Sequence, residues 1–379
     1  GLLVAGSETG MVEIPESEIV EKGRIDPGGM IAIDLKDGRF YHDGELKDLV
    51  AARQPFTEWV KGITKLDDVI KAGPEQKSLL GAEELRRRQH CLGLTMEDTE
   101  LILQPMAEEG KEATGSMGDD APLAVLSETY RGLHQFFRQA FSQVTNPPID
   151  SLRECRVMSL KTRLGNLGNI LEEAPGQCDL LQLETPVLTN SAFDALQAYL
   201  GDTAVEIDCT FRPGDSLGAL GTALDRIRSE AEDAVRGGCM HLTLSDMAVG
   251  PDRAPIPMIL VTGGVHSHLV SQELRTYTSI NVRSGECLDV HYFAVLIGVG
   301  ATTVNAYLAE ESIHERHRRG LIGDLPFETC IQNYVDAINQ GLLKVMSKMG
   351  ISVISSYRGG YCFEALGLSR ALVAEFFPG

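Results

Sequence analysis

The chain has 379 residues, 43% of them hydrophobic, and carries 54 acidic against 34 basic side chains for a net charge of −20. That is enough apolar material for a sizeable core and more than one folding unit. The acidic balance argues against nucleic acid and anionic membrane as partners, no apolar run reaches the ~20 residues that cross a bilayer, and no basic-then-apolar leader opens the chain.

Residues 1–62 read as β-rich. "LLVAGSE", "MVEIP" and "MIAIDL" are short strand-like runs. Asp37-Gly38 between two such runs is a hairpin signal, and Pro27-Gly28-Gly29 marks another turn. Because Gly1 opens directly onto a strand-like run, the chain is expected to be an excised piece of a longer protein.

Residues 63–150 change to helical periodicity in "AEELRRRQHCLGL" and "MEDTELILQPMAEEG". A further helix is expected from Pro122, capped by Asp119 or Asp120. Its apolar face would hold Leu123, Val125, Leu126, Tyr130, Leu133, Phe136 and Phe137, and it would stop at "TNPPID".

From residue 151 strands and helices alternate, which predicts a parallel sheet or barrel. The expected strands are "VEIDCTF" (205–211), "MHLTLSD" (240–246), "TSINVR" (278–283) and "ISVISSY" (351–357). Amphipathic "SLGALGTALDRIRSEAEDAV" and apolar "PIPMILVTGGVHSHLVSQELR" lie between them.

"HYFAVLIGVGATTVNAYL" (291–308) suggests a glycine loop for phosphate, but its order is wrong. Ser284 is a good N-cap, Glu286 and Asp289 put negative charge in the first turn, and Val290, Phe293, Ala294 and Ile297 share a helical stripe. A helix over 286–297, ended by Gly298 and Gly300, should lead into a strand over 302–308 with period-two alternation. A dinucleotide loop needs strand, glycine, helix.

Other candidates are weaker than their plain structural readings. His266 and His268 form an HxH inside a helical run, where the two side chains point apart. His314 and His317 share a helix face with Arg316, Arg318 and Arg319, which would repel a cation; a solvated face is the better reading. Asp119 and Asp120 could hold a divalent ion, or simply cap. "GDSLG" (214–218) matches a nucleophile elbow, yet Asp215 or Ser216 serves better as an N-cap after Arg212-Pro213. The eight cysteines, Cys91, Cys155, Cys178, Cys209, Cys239, Cys287, Cys330 and Cys362, show no close spacing and read as reduced, mostly buried thiols of a cytoplasmic protein. Tyr357-Arg358-Gly359-Gly360 is the best anion-binding candidate on chemistry, against a purely structural turn.

"QPMAEEGKEATGSMGDDAPLAVLS", "FSQVTNPPID", "RAPIPMILVTGGVHSHLV" and "KVMSKMGISVISSYRGGYCFEALGL" resemble the central region of the glutamate synthase large chain, over nearly the whole length. "AGSETGMVEIP" resembles the tail of that enzyme's class II amidotransferase domain. The resemblance implies an incomplete, rudimentary TIM-like β/α barrel without a cofactor (151–379), a helical connector (63–150) and a small N-terminal β segment from the amidotransferase domain (1–62).

It further implies a parent enzyme that makes L-glutamate from L-glutamine and 2-oxoglutarate. That parent would use FMN, a 3Fe-4S cluster and electrons from NAD(P)H or ferredoxin. Its other parts would be glutaminase and FMN domains of the same chain and a small FAD-containing reductase subunit. FMN barrels follow the Gly-Ala strand with a Gly-Arg pair that holds phosphate; here the strand ends "NAYLA", so this segment should bind no flavin and be inactive alone. Thr145 and Asn146 are candidates for the ammonia path by the same resemblance, with Ser116, Asp119, Asp120 and Arg358 as channel or interface candidates. The competing expectation is a free-standing barrel enzyme using His266 and His268, Ser216 or the 357–360 turn.

Overall fold

The computed structural model describes residues 1–8, 10–70, 80–115, 122–129, 131–140, 147–214 and 218–378. Contacts divide it into two units, Gly1–Lys61 and Gly62–Gly379.

In the first unit, Ala32–Ile33 (β1) and Phe40–Tyr41 (β2) pair antiparallel about Asp37-Gly38, where Gly38 takes φ 72°. Helix α1 (Asp43–Ala51) follows. Gly29 N–H closes the Pro27-Gly28-Gly29 turn on the Asp26 carbonyl at 2.8 Å. The expected strands at "LLVAGSE" and "MVEIP" do not form among the described residues. A strand is held by its neighbours, and Leu2, Leu3, Val4, Met11 and Val12 are exposed with no paired strand there.

The second unit opens with β3 (Thr64–Lys65), α2 (Ala82–Cys91), a π-helical turn at Asp98–Leu103 and α3 (Gln104–Glu109). The long helix expected from Pro122 does not form. Residues 124–126 and 133–136 make single 3₁₀ turns, and Phe137–Gln139 is strand β4. The strand Phe363–Ala365 offers β4 an antiparallel ladder, and Phe137 packs against the Phe363 and Phe377 rings at 6.3 and 5.0 Å. Leu123, Val125 and Leu126, the start of the supposed apolar face, stay exposed. Tertiary pairing has overridden local periodicity.

Next come α4 (Ser151–Val157), β5 (Thr162–Leu164) and β6 (Leu181–Leu183). The Asp150 side chain caps α4 by accepting from Leu152 and Arg153 N–H. Then follow α5 (Asn190–Leu200), β7 (Ala204–Asp208), β8 (Thr210–Phe211), α6 (Ala219–Arg236), β9 (His241–Ser245), β10 (Ala254–Pro255), α7 (Met258–Ser271) and β11 (Ser279–Arg283). The chain closes with α8 (Val290–Gly298), β12 (Thr303–Asn305), α9 (Tyr307–Arg318), α10 (Phe327–Lys348), β13 (Phe363–Ala365) and α11 (Arg370–Phe376).

The central sheet is parallel, ordered β12-β11-β9-β7, and a bridge from Val304 to Val187 adds a fifth position beyond β12. Helix α5 therefore runs from one edge of this sheet to the other. Among the described residues the sheet does not close, so the fold is an incomplete β/α barrel. "ISVISSY" contributes only a single bridge, Val353 to Ser159, before a helical turn at Ile354–Tyr357.

Register sorts the strand residues by face. Ile207, Leu244, Val282 and Val304 lie in one row and join the core formed with α6, α7, α8 and α10. Glu206, Thr243, Asn281 and Thr303 lie in a row on the opposite face, as do Asp208, Ser245, Arg283 and Asn305. Helix α5 covers that polar face: Gln197 donates to Thr243 Oγ1 at 2.8 Å, and the Arg283 guanidinium lies 4.8 Å from the Phe193 ring centre. Phe193, Leu196 and Leu200 of α5 form a second core with Leu66, Leu164, Leu181, Leu183 and Leu188.

The glycine stretch runs helix, glycine, strand. The helix begins later than expected, at Val290. Asp289 rather than Ser284 is the N-cap, accepting from Tyr292 N–H at 2.9 Å. Ser284 instead turns the chain by accepting from Glu286 and Cys287 N–H. The strand is shorter than expected, Thr303–Asn305, because Tyr307 already starts α9. Helix α6 starts at Ala219 with Gly218 at the cap; Asp215 and Ser216, the expected caps, lie outside the described residues.

Candidate functional site

In α/β barrels and open parallel sheets, ligands sit at the carboxyl ends of the strands. Here that end is occupied by the chain itself. Helix α2 lies across the ends of β9, β11 and β12, where Leu85 packs with Tyr307 and Leu308, with Leu80, Leu92, Leu94 and Met247 around them. Arg88 of α2 donates to Tyr307 Oη at 3.3 Å and to Met247 Sδ at 3.8 Å, and pairs with Glu84 at 2.7 Å. Gln89 donates to Ser312 Oγ at 2.8 Å.

Beneath this layer lies a set of buried and half-buried polar side chains that sequence reasoning did not single out as a site. Asp246, fully buried after β9, accepts Gly285 N–H at 2.8 Å. Burial, reinforced by Glu286, pushes its carboxyl up to about 7, against the lowering pull of the Gly285 N–H. Burial likewise raises Glu286, which accepts Met258 N–H at 3.0 Å and Tyr292 Oη–H at 2.6 Å. Asn190 N–H donates to Glu310 at 2.7 Å, and Asn305 Nδ2 donates to Asn190 Oδ1 at 2.9 Å and to the Leu188 carbonyl at 3.0 Å. The carboxyl-end position of Asp246, in "LTLSD", was the one available signal.

The opposite, amino end of the sheet holds the candidate at 357–360. His266 of α7 is wedged between two glycines: a Cβ on Gly300 would lie 2.4 Å from the ring's Cγ, and one on Gly359 would lie 2.7 Å from Cε1. Both glycines have positive φ, 125° and 67°. Arg275 Nε donates to His266 Nδ1 at 2.9 Å, while its other nitrogens donate to the Thr278 and Gly300 carbonyls at 2.7 and 2.9 Å. Burial, then the charges of Arg275 and Arg358, hold the His266 imidazole down at about 3. Burial and Arg358 together lower Arg275 to about 9, still charged at neutral pH. Burial also lowers Arg358.

The HxH pair diverges as its helical spacing requires: His268 Nε2 meets Glu232 of α6 at 2.7 Å, while His266 meets Arg275. His314 and His317 are not on a solvated face. Both are half-buried against the Phe327 ring, at 4.9 and 5.6 Å, and His317 Nε2 meets the Leu325 carbonyl. Arg316, between them, is buried and pairs with Glu100 and Gln104. All eight cysteines are free, but only Cys209, Cys239, Cys287 and Cys330 are buried; Cys91 and Cys155 are exposed. Thr145, Asn146, Ser116, Asp119, Asp120, Asp215 and Ser216 lie outside the described residues. Just beyond Asn146, Ile149 N–H donates to the Ser347 carbonyl at 2.8 Å, tying the end of "TNPPID" to the last turn of α10.

A family model, the glutamate synthase central domain, matches residues 87–369. The chain belongs to this family. A second model, class-II glutamine amidotransferases, matches residues 1–59. The glutamate synthase (NADPH) large chain of Azospirillum brasilense is 65% identical over 380 residues, covering all of this chain and 25% of that one. The corresponding large chain of Bacillus subtilis is 39% identical over 381 residues, and the chloroplastic ferredoxin-dependent glutamate synthase of Spinacia oleracea is 39% identical over 391; each covers all of this chain and 24% of its own. The chain thus spans about a quarter of the length of these relatives. No helix among the described residues is long and apolar enough to cross a membrane.

Proposed function

We propose that this chain is the central structural module of a glutamate synthase, joining a glutaminase domain to an FMN-bearing synthase domain and helping to form the path for ammonia between them. The parent enzyme makes L-glutamate from L-glutamine and 2-oxoglutarate, with FMN, a 3Fe-4S cluster and electrons from NAD(P)H or ferredoxin. A small FAD-containing reductase subunit and a cytoplasmic location belong to the same reading, without nucleic acid or membrane as partners. On it, residues 1–62 close the amidotransferase domain, 63–150 are a helical connector and 151–379 are the rudimentary barrel.

The observation that carries the module's role is the filled carboxyl end of the sheet. Side chains of α2 and α9 occupy the place where a barrel enzyme keeps its ligand. The residues present do not suit a flavin: after β12 the chain passes from Asn305 straight into α9, with Tyr307 and Leu308 buried under Leu85. On this reading the segment alone is an inactive scaffold, and purified chain desalted after mixing with FMN should come out colourless.

Thr145 and Asn146, before Pro147-Pro148, are proposed to wall the ammonia path. An amide and extended backbone carbonyls bind neutral ammonia weakly, whereas a carboxylate would favour ammonium and retain it. Ser116, Asp119 and Asp120 are proposed to line the path or a neighbouring domain contact. In the full-length parent, Asn146→Leu should leave glutamine hydrolysis nearly intact but raise the ratio of glutamine hydrolysed to NAD(P)H oxidised at saturating 2-oxoglutarate. An unchanged ratio in a folded variant removes Asn146 from the path.

A further inference from the structure

The turn at 358–361 is built at a cost. Tyr361 is one of two non-glycine residues with positive φ among those described, at 47°, and Gly359 takes φ 67°. The turn is nevertheless tied down throughout. Gly359 N–H donates to the Ile297 carbonyl at 3.1 Å, Gly360 N–H to the Tyr357 carbonyl at 3.1 Å and Tyr361 N–H to the Gly298 carbonyl at 3.1 Å, while Tyr361 Oη meets Ser267 Oγ at 2.8 Å. What this arrangement presents is Arg358, next to Gly359, which abuts the His266 ring; the Arg358 charge acts on both His266 and Arg275.

Both arginines are half-buried, packed in protein with a rim left to solvent. Neither has an ion-pair partner among the described residues, although the chain has 54 carboxylates for 34 basic groups and most other buried or part-buried arginines are paired. Arg275 spends its bonds on His266 and two carbonyls. The guanidinium of Arg358 makes no hydrogen bond to any described residue, so among these its fork of five donors is uncommitted. Because Nδ1 of His266 accepts from Arg275, its proton sits on Nε2, the nitrogen on the Gly359 side. Two neighbouring guanidiniums and an imidazole N–H, with no carboxylate supplied by the described residues, leave positive charge uncompensated by them on a strained and rigid frame.

We infer that Arg358, with Arg275 and His266 behind it, is a docking site for a carboxylate at the amino end of the sheet. A carboxylate fits better than a phosphate because the backbone N–H groups of the turn are already spent. Only side-chain donors remain, and a guanidinium fork matches a carboxylate in two parallel bonds. The carboxylate comes either from a small free acid or from an aspartate or glutamate elsewhere in the longer protein. This inference does not depend on the ammonia-path reading.

The test labels Arg358 with phenylglyoxal, quantified by mass spectrometry, in the 379-residue chain and in the full-length parent. The probe is sodium malonate against sodium chloride at equal ionic strength. If the carboxylate is free, malonate protects Arg358 in both proteins. If it belongs to the longer protein, Arg358 is protected there without malonate, and about 1 M sodium chloride, which screens an ion pair but not simple steric cover, restores labelling. Calorimetric binding of malonate to the chain should weaken at least about tenfold in Arg358→Gln and less in Arg358→Lys, which keeps the charge but loses the fork. Labelling indifferent to malonate and to the longer protein, or equal malonate affinity in Arg358→Gln, overturns the inference; the labelling of unmodified protein decides even if Arg358→Gln fails to fold.

Discussion

The two ends of one parallel sheet have been finished in opposite ways. At the carboxyl end, acidic groups are buried under α2 and bonded to N–H and O–H donors, with Asp246 on Gly285 and Glu286 on Tyr292 and Met258. At the amino end, basic groups surround His266, and one guanidinium is left without a partner among the described residues. The contrast teaches that the two ends of one sheet can be finished independently, one filled by the chain and one left with unpaired charge among the described residues. The end where barrel enzymes work is plugged, while the end that normally serves stability alone keeps strain, charge and solvent access.

The largest expected effect falls on the amino end. Gly300→Ala forces a Cβ to 2.4 Å from His266 and places alanine at φ 125°. Overpacking and a backbone region reserved for glycine together should destabilise the chain by about 4 kcal/mol in denaturant unfolding. A loss under about 1 kcal/mol would mean that the wedge around His266 is not tight.

Asp246 breaks the symmetry from the other side. Its folded pKa lies above its unfolded value, so its contribution to stability is present in full below about pH 4 and is lost as the pH rises through about 7. Asp246→Asn stays neutral and should not follow this curve. The difference in unfolding free energy between variant and parent should therefore move in the variant's favour by about 4 kcal/mol from about pH 4 to about pH 8. A difference that does not vary with pH would place Asp246 in contact with solvent.

The smallest effect is a titration. Arg358 is the third-ranked influence holding His266 neutral, after burial and Arg275. Removing its charge in Arg358→Gln should raise the imidazole pKa, read by NMR. With the folded pKa below the unfolded value, His266 favours the fold above about pH 6.5 and loses that contribution in acid, and the variant should lose less. An unshifted His266 would separate the two residues.

Much of this was legible in the sequence where local rules decide. The helix–glycine–strand order at 290–305 followed from Asp289, Gly298 and the switch in periodicity, and the strand–helix alternation after residue 151 followed from apolar runs and their spacing. Three kinds of feature were not legible. Phe137 became a strand residue because β13, more than 220 positions later, gave it a ladder. Tyr307 was read as part of the strand over 302–308 and instead starts α9, buried because α2 folds over it. Arg358 stood out as a motif, but its neighbour Arg275 did not, since nothing in the sequence links two residues joined only by the turn around Gly300 and Gly359. Thr145 and Asn146 remain proposals of the sequence alone.

Helix α5 also carries a consequence for how such a chain is made. Val187 leads into that helix, yet its neighbour in the sheet is Val304, 117 positions later (304 − 187). At about 5–20 residues per second, a ribosome takes roughly 6–23 s to deliver the second partner after the first. Meanwhile the small leucine-rich core of residues 66 to 200 can assemble, with the polar underside of α5 still uncovered. Vectorial synthesis would thus prepare a folded lip first and hang the remaining strands from it afterwards.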